Sequence, residues 1–429
     1  MTRFSYLLVV ALVAAGGPGF AQDDDIKAQR EYEVQQAKIR AELAKKSSHQ
    51  QTAEIKVTGA APGTALQTLC LAADGKVLAL VAPPRGYSTP LKNATGEVQV
   101  FSPDGKLLSN WKFGFHAHSI NAGPDGTVYV AGDARVARFG KDGKAIGEPV
   151  ELAHVTALLK DKDALRAKAE LALKREKEQV VQSMAQAKKQ FTEQLTRLEA
   201  KADADRTKTE QRQITQYKSI LKSYEQNEAF YAKRTVEDVM GGLVGRLRII
   251  NGVAVSDTHV FVACGEAEGY GYAVWRMDRD LTNPKQVLSN IGGCCGQMDI
   301  QVQGGDLLVA ENTRHQFARY DRDGKKLGSY GKRGQDTDPA CFGGCCNPMN
   351  VRAAGSSGDV FTAESEGVVK RFSAAGEFVG VVGTVPVNGG CKNVAIGVSA
   401  DGSMVYFCDQ PGGRFFILAR RAAPAAGGN

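Results

Sequence analysis

No stretch after Ala15 approaches the ~20 consecutive apolar residues that cross a bilayer as a helix, so no transmembrane segment is expected in the mature chain. Several chemistries announce themselves through short motifs, and these are missing as well. There is no nucleophile elbow, no P-loop and no Cys-x-x-Cys-His for haem attachment. The glycines between Gly265 and Gly271 lack the strand-to-helix setting that cradles phosphate. Charge of one sign does not dominate either: 54 Lys and Arg against 47 Asp and Glu leave a formal +7 in 429 residues. Eighteen of those basic and twelve of those acidic residues fall between Leu158 and Arg234. The signs are mixed there as on a solvated helix face, so no nucleic-acid partner is expected. The same stretch contains neither glycine nor proline.

What is present begins with Arg3, an apolar run from Phe4 to Ala15 and small residues ending at Ala21, the layout of a cleavable secretory signal over residues 1–21. The expectation is export to a periplasmic or extracellular space. An oxidising compartment lets disulfides persist. The nine cysteines are an odd number, so at least one is free, metal-bound or paired outside the chain. Hydrophobic residues at 43% and charged residues at 24% are ordinary for a globular core.

Residues 22–53 read as an N-terminal helix and linker. Asp24 to Lys46 is rich in Ala, Glu, Lys, Gln and Arg, and Ser47-Ser48-His49-Gln50-Gln51 is polar. From Glu54 the pattern changes to short alternating strands broken by Asp-Gly turns, the period-2 signal of antiparallel sheet. Aligning the turns at Asp74-Gly75, Asp125-Gly126, Asp323-Gly324 and Asp401-Gly402 exposes a repeat of about 40 to 50 residues, the period of propeller blades. Six units result, two over residues 54–157 and four over 236–421, followed by a disordered tail at 422–429. The strand from Glu54 to Val57 completes the last unit, and radial closure leaves no long exposed edge. The predicted fold is mainly β: a six-bladed β-propeller with an inserted antiparallel α-helical hairpin and a short N-terminal helix.

The insertion occupies 158–235. Leu165, Ala169, Leu173, Val180, Met184, Ala187, Phe191, Leu195 and Leu198 form one stripe at helical spacing, which restarts at Ile214, Tyr217, Leu221, Tyr224 and Tyr231. A first helix of about 40 residues projects ~60 Å at ~1.5 Å per residue, and the chain must return to where it left. The N-terminal helix is a candidate third member of this bundle. The arm is either a solvated spacer or a surface for partners or oligomerisation.

One unit carries a family likeness. Ala310-Glu311-Asn312-Thr313-Arg314-His315-Gln316-Phe317-Ala318-Arg319-Tyr320-Asp321-Arg322-Asp323-Gly324 resembles the characteristic segment of NHL repeats: an acidic residue after the second strand, a histidine in the turn and an aromatic-Asp-x-x-Gly close. The resemblance spans nearly all of Glu54 to Arg420 except the insertion, and it implies a six-bladed propeller rather than one activity. NHL propellers include protein-binding and RNA-binding modules, and related six-bladed propellers include secreted enzymes.

The residues that could carry chemistry recur in register. With the inner strands aligned on Ile120, Val253, Ile300, Val351 and Ile396, the position five before holds Cys295, Cys346 and Cys391. The position six before holds Cys294 and Cys345, and two before stand His118, Met298 and Met349. On neighbouring blades these face a common axis. Thiolate, thioether and imidazole are soft or borderline ligands suited to copper or zinc. The same cysteines, with Cys341, are equally a disulfide framework stapling three blades, with Met298 and Met349 as core filler. Cys70, Cys264 and Cys408 read as small buried hydrophobes. Asn121, Asn251, Asp299 and Asn350 near the same entrances form an alternative oxygen set for calcium. The function expected is that of an exported binding or scaffold protein engaging a protein or cell-envelope component. Its alternative is a metal-dependent lyase or hydrolase of the propeller kind.

Overall fold

The computed structural model describes residues 22–84, 94–267, 271–293, 297–335, 337–344, 346–355, 357–388, 390 and 392–422. The expected signal over 1–21 lies outside the described residues, as do 423–429 of the expected tail and four site candidates, Cys294, Cys295, Cys345 and Cys391.

The chain opens with α1 (Gln22–Lys45) and β1 (His49–Lys56). A first sheet follows: β2 (Ala65–Leu71), β3 (Val77–Ala82), β4 (Gly96–Phe101) and β5 (Leu107–Phe113). The second contains β6 (Ser119–Ala122), β7 (Val128–Gly132), β8 (Arg135–Phe139) and the short β9 (Val150–Glu151). Four helices intervene, α2 (Ala153–Lys160), α3 (Lys162–Glu199), α4 (Lys208–Lys233) and α5 (Val236–Arg248). The third sheet comprises β10 (Ile250–Val255), β11 (His259–Gly265), β12 (Tyr272–Asp278) and β13 (Lys285–Ile291). The fourth comprises β14 (Ile300–Gln303), β15 (Asp306–Glu311), β16 (Gln316–Tyr320) and β17 (Lys326–Tyr330). The fifth comprises β18 (Asn350–Ala353), β19 (Val360–Ala363), β20 (Val368–Phe372) and β21 (Phe378–Thr384). Last come β22 (Val394–Val398), β23 (Met404–Asp409) and β24 (Arg414–Arg420). All six sheets are four-stranded and antiparallel, and the sixth is completed by β1, in the order β1-β24-β23-β22. No described helix is long and apolar enough to cross a membrane.

The strands alternate because one set of side chains must be buried against each neighbouring sheet. Turn chemistry fixes their ends. Gly324 holds φ at 92°, and a Cβ there would lie 1.9 Å from the Val287 carbonyl oxygen, so this turn accepts only glycine.

A buried cluster lies between each sheet and the next. Leu78, Leu80 and Val98 of the first sheet meet Ile120 and Val130 of the second. Phe361 and Val369 of the fifth meet Phe407 and Phe416 of the sixth, where burying each phenylalanine is worth about 2 to 3 kcal/mol. Leu66, Leu69 and Val77 of the first sheet also meet Tyr406, Phe415 and Ile417 of the sixth. The inner strands touch in the cyclic order β2, β6, β10, β14, β18, β22, and β22 touches β2.

β1 pairs with β24 from His49 opposite Arg420 to Lys56 opposite Arg414, as expected for the strand that completes the last unit. It starts five residues earlier than expected and takes in His49 to Gln51 of the presumed linker. Polar side chains suit an outermost strand, whose outer face meets solvent, and the His49 ring is bonded to the Gly402 carbonyl at 2.9 Å.

α1 does not join the insertion. Its last turns pack on β21. There Leu43 contacts Val368 and Val381, and Arg40 Nη1 donates to the Glu366 carbonyl at 3.0 Å.

In the insertion, α3 and α4 pack along each other. Lys188 pairs with Glu228 at 2.9 Å and Lys218 with Glu199 at 2.7 Å, while the Phe191 and Tyr217 rings meet at a tilt with centroids 5.4 Å apart. Thr207 and Thr235 start α4 and α5 with capping boxes completed by Glu210 and Asp238. Helix extends beyond 158–235 at both ends, because α5 tolerates Gly241, Gly242 and Gly245 while Leu243 and Leu247 are buried against the sheets.

Candidate functional site

Every inner strand starts, and every second-to-third hairpin turns, at the same end of its sheet, and the outer-to-inner crossovers pass there too. The insertion occupies the crossover between β9 and β10. His118, Met298, Met349 and the insertion therefore stand at corresponding ends of their sheets.

His116 and His118 lie there with ring centroids 4.5 Å apart. His116 Nε2 donates to the Pro83 carbonyl at 2.8 Å. His118 Nδ1 accepts the Ile250 N–H at 3.4 Å, which leaves the ring proton on Nε2 in the neutral form. A ligating histidine commonly has the reverse arrangement, with Nδ1–H donating to a carbonyl or carboxylate.

Met298 and Met349 are fully buried in different clusters, Met298 between the third and fourth sheets and Met349 between the fifth and sixth. The Met349 sulfur lies 3.8 Å from Asn312 Nδ2, which also donates to the Gln297 carbonyl at 3.2 Å. Cys346 is also buried, at 1% exposure. Among the described residues no disulfide is formed and no group of three or more His, Cys, Asp or Glu is arranged to hold a metal. Cys70, Cys264 and Cys408 are buried thiols, as expected. Burial pushes Cys70 and Cys264 up to about 12, so they stay protonated and inert. Cys341 donates to Asp338 Oδ2 at 3.0 Å.

The polar residues at the strand entrances join one sheet to another. Asp299 Oδ2 accepts the Val351 N–H at 2.8 Å and Arg352 Nη1 at 2.6 Å. Asn350 Oδ1 accepts the Ile396 N–H at 3.0 Å. Asn121 Nδ2 donates to the Val253 carbonyl at 2.7 Å and to Gln301 Oε1 at 2.9 Å. Of the four residues considered for calcium, these three are spent satisfying backbone groups of neighbouring inner strands. Burial lifts the Asp299 carboxyl above its ordinary range in spite of Arg352.

Gln297 and Arg352 were not anticipated. Gln297 Nε2 donates to the carbonyls of Met349 at 2.9 Å and Val394 at 2.7 Å, linking the fourth, fifth and sixth sheets. The available signal for Arg352 was its register: one position past the aligned residue the other units have Asn121, Ala254, Gln301 and Gly397, none of them charged.

The NHL-like segment is structural in its chemistry. Glu311 is fully buried and accepts from Arg314 Nη1 at 3.2 Å, from Gln316 Nε2 at 2.5 Å and from the Tyr320 hydroxyl. Burial acts to raise its pKa, but the bonds from Tyr320 and Gln316 outweigh it and hold the carboxyl below the usual range. His315 takes the left-handed position, φ 53°, that ends the short turn Asn312–Arg314. Other sheets repeat the device of an acid at the end of the second strand with a cation following: Glu364 with Lys370, and Asp409 with Arg414 at 3.1 Å.

The base of the arm is built into the sheets. Leu152, Val155, Leu165, Leu243 and Leu247 share one cluster with Tyr129, Ile250, Val253 and Val262. Beside it the His154 ring stacks on Trp275 at 3.7 Å and 8°, with Nε2 3.5 Å from Cys264 Sγ. No protein-family model matches the chain, and no curated protein matches it.

Proposed function

We propose that the six sheets close as a six-bladed propeller of the NHL kind, that α3 and α4 form a helical hairpin arm, and that the molecule is an exported binding or scaffold protein whose arm engages a protein or cell-envelope partner. One observation carries this reading: the root of the arm is packed into the sheets. Its root shares a hydrophobic cluster with two sheets, while α3 extends 38 residues and α4 leaves Phe230 61% exposed. A long projection with a fixed base and an exposed aromatic suits recognition of a macromolecule better than a flexible spacer does.

The cysteine motifs either staple the ring or hold copper or zinc. Bound metal there would favour the second reading, a metal-dependent propeller enzyme.

The test replaces residues 162–234 with a short Gly-Ser bridge, retaining α2 and α5. The ring is expected to fold with its melting temperature little changed and to lose the partners captured by the intact chain. Unchanged partners would remove the arm from the function.

A further inference from the structure

The insertion is rooted by two legs, α2 and α5, and they are fastened unequally. Both reach the turn between β7 and β8. The Leu152 N–H that precedes α2 donates to the Ala134 carbonyl at 2.8 Å, and the Ala134 N–H donates to the Arg248 carbonyl at the end of α5, also at 2.8 Å. α5 adds the pair of Arg248 Nε with Asp133 Oδ1 at 2.6 Å. It has a capping box at Thr235 and four buried residues, Val239, Leu243, Gly245 and Leu247. α2 has eight residues, no side-chain cap at Leu152 and one buried residue, Val155. Besides its apolar contacts, α2 is held by the His154 ring. That ring lies face to face on Trp275 of β12, at 3.7 Å and 8°, with Nε2 3.5 Å from Cys264 Sγ at the end of β11.

The contact suits a neutral imidazole and not a charged one. Nδ1 is sealed from solvent and has no hydrogen-bond partner among the described residues, so a proton there would be buried without an acceptor. His154 is also the second residue of its helix, where the unpaired N–H groups of the first turn disfavour positive charge. The indole face compensates a cation in part, but the partner at Nε2 is a thiol and not a carboxylate.

The charged groups on the surrounding elements are engaged elsewhere. Arg276, next to Trp275 on β12, pairs with Asp323 at 2.8 Å. Arg166 of α3 pairs with Glu237 of α5 at 3.1 Å. Glu151 accepts the Thr156 hydroxyl at 3.2 Å, and Glu266, just past β11, accepts the Asn290 N–H at 2.8 Å. Arg246 of α5, whose stem lies against Gly265, brings a like charge and not a counter-ion. Burial is the cause that pulls the His154 pKa from 6.5 to about 4.

From this geometry we propose that the His154–Trp275 contact is an acid-opened joint: protonated, His154 leaves the indole and α2 lifts from the sheets, so that the arm swings on α5 while the sheets stay folded. The inference rests on the reading of α3 and α4 as a partner-binding arm and adds a control on how that arm is held. A released His154 takes its proton near 6.5, whereas the docked one resists until about 4. The joint is therefore fully closed above the upper value, and its closure weakens by up to about tenfold per pH unit as pH falls through that window.

Hydrogen exchange of the full chain from about pH 7 down to about pH 4, corrected for the intrinsic exchange rate, reads the joint directly. Protection of the amides from Ala157 to Lys160 is expected to fall by up to about tenfold per pH unit, while α5 and β10 to β12 keep theirs. His154→Phe keeps a flat ring on Trp275 and takes up no proton, so its α2 protection should not follow pH. Should that variant fail to fold, the comparison of α2 with α5 in the native chain decides alone. α2 protection that ignores pH, that follows it equally in the variant, or that is lost only together with α5 and the sheets overturns the joint. Partner capture is a separate readout: a joint that opens in a chain whose partners survive deletion of the arm removes the function proposed above and leaves this inference in place.

Discussion

His154 stands where the insertion meets the third sheet, and its environment fixes its protonation. Burial pulls its pKa from 6.5 down to about 4, and Nδ1 is sealed from solvent without a hydrogen-bond partner. The unfolded chain takes up this proton near 6.5, whereas the folded chain resists it until about 4. This contribution is therefore complete above the unfolded value and is lost as pH falls through that window, in total on the order of 3 kcal/mol. Melting curves at a series of pH values should show the slope, and His154→Phe should flatten it; an unchanged slope in the variant would assign the acid sensitivity elsewhere. The contact itself was not readable in the sequence, because His154 and Trp275 are brought together only by the return of a long insertion. The same holds for Asp299 with Val351 and for Asn350 with Ile396, whose partners depend on the register between separate sheets.

At the scale of elements, short apolar runs bounded by turn residues were a good guide, even for inner strands that bury both faces. The expected strands around Ile120, Val253, Ile300, Val351 and Ile396 all appear as inner strands, and the acid that ends β15 proved to be a repeated fastening. Two elements were read short for physical reasons. β1 is polar because it is outermost, so its first three residues looked like linker. α5 contains three glycines that mask a helix stabilised by packing, although Thr235 and Asp238 already have capping-box spacing. β1 and α1 also differ in weight. Removing residues 22–45 should cost about 2 kcal/mol, mainly the burial of Leu43. Removing 22–56 uncovers the whole of β24 and should abolish cooperative unfolding, with amide protection of Phe416 to Leu418 lost in hydrogen exchange. If the longer truncation melts like the intact chain, β1 is dispensable.

For the whole molecule, six sheets with a buried cluster at every junction, including the junction of the sixth with the first, match the repeat count read from the turns. The chemistry was less legible: Met298 and Met349 share a register but are buried in different clusters. Four of the cysteines lie outside the described residues, so their state is a matter for native mass spectrometry with thiol alkylation of the mature chain. Copper or zinc that disappears in Cys295→Ser or Cys346→Ser would establish a metal centre, while a metal-free chain with alkylation-resistant cysteines would establish staples. The closure of the sixth sheet bears also on how the chain comes to be folded. Glu54 pairs with Arg414, 360 residues away, so the first strand synthesised waits for the last. The sixth sheet cannot be completed until β24 has been synthesised, and such high contact order slows folding further. A nascent chain whose sixth sheet stays incomplete this long needs shelter from aggregation until β1 and β24 meet.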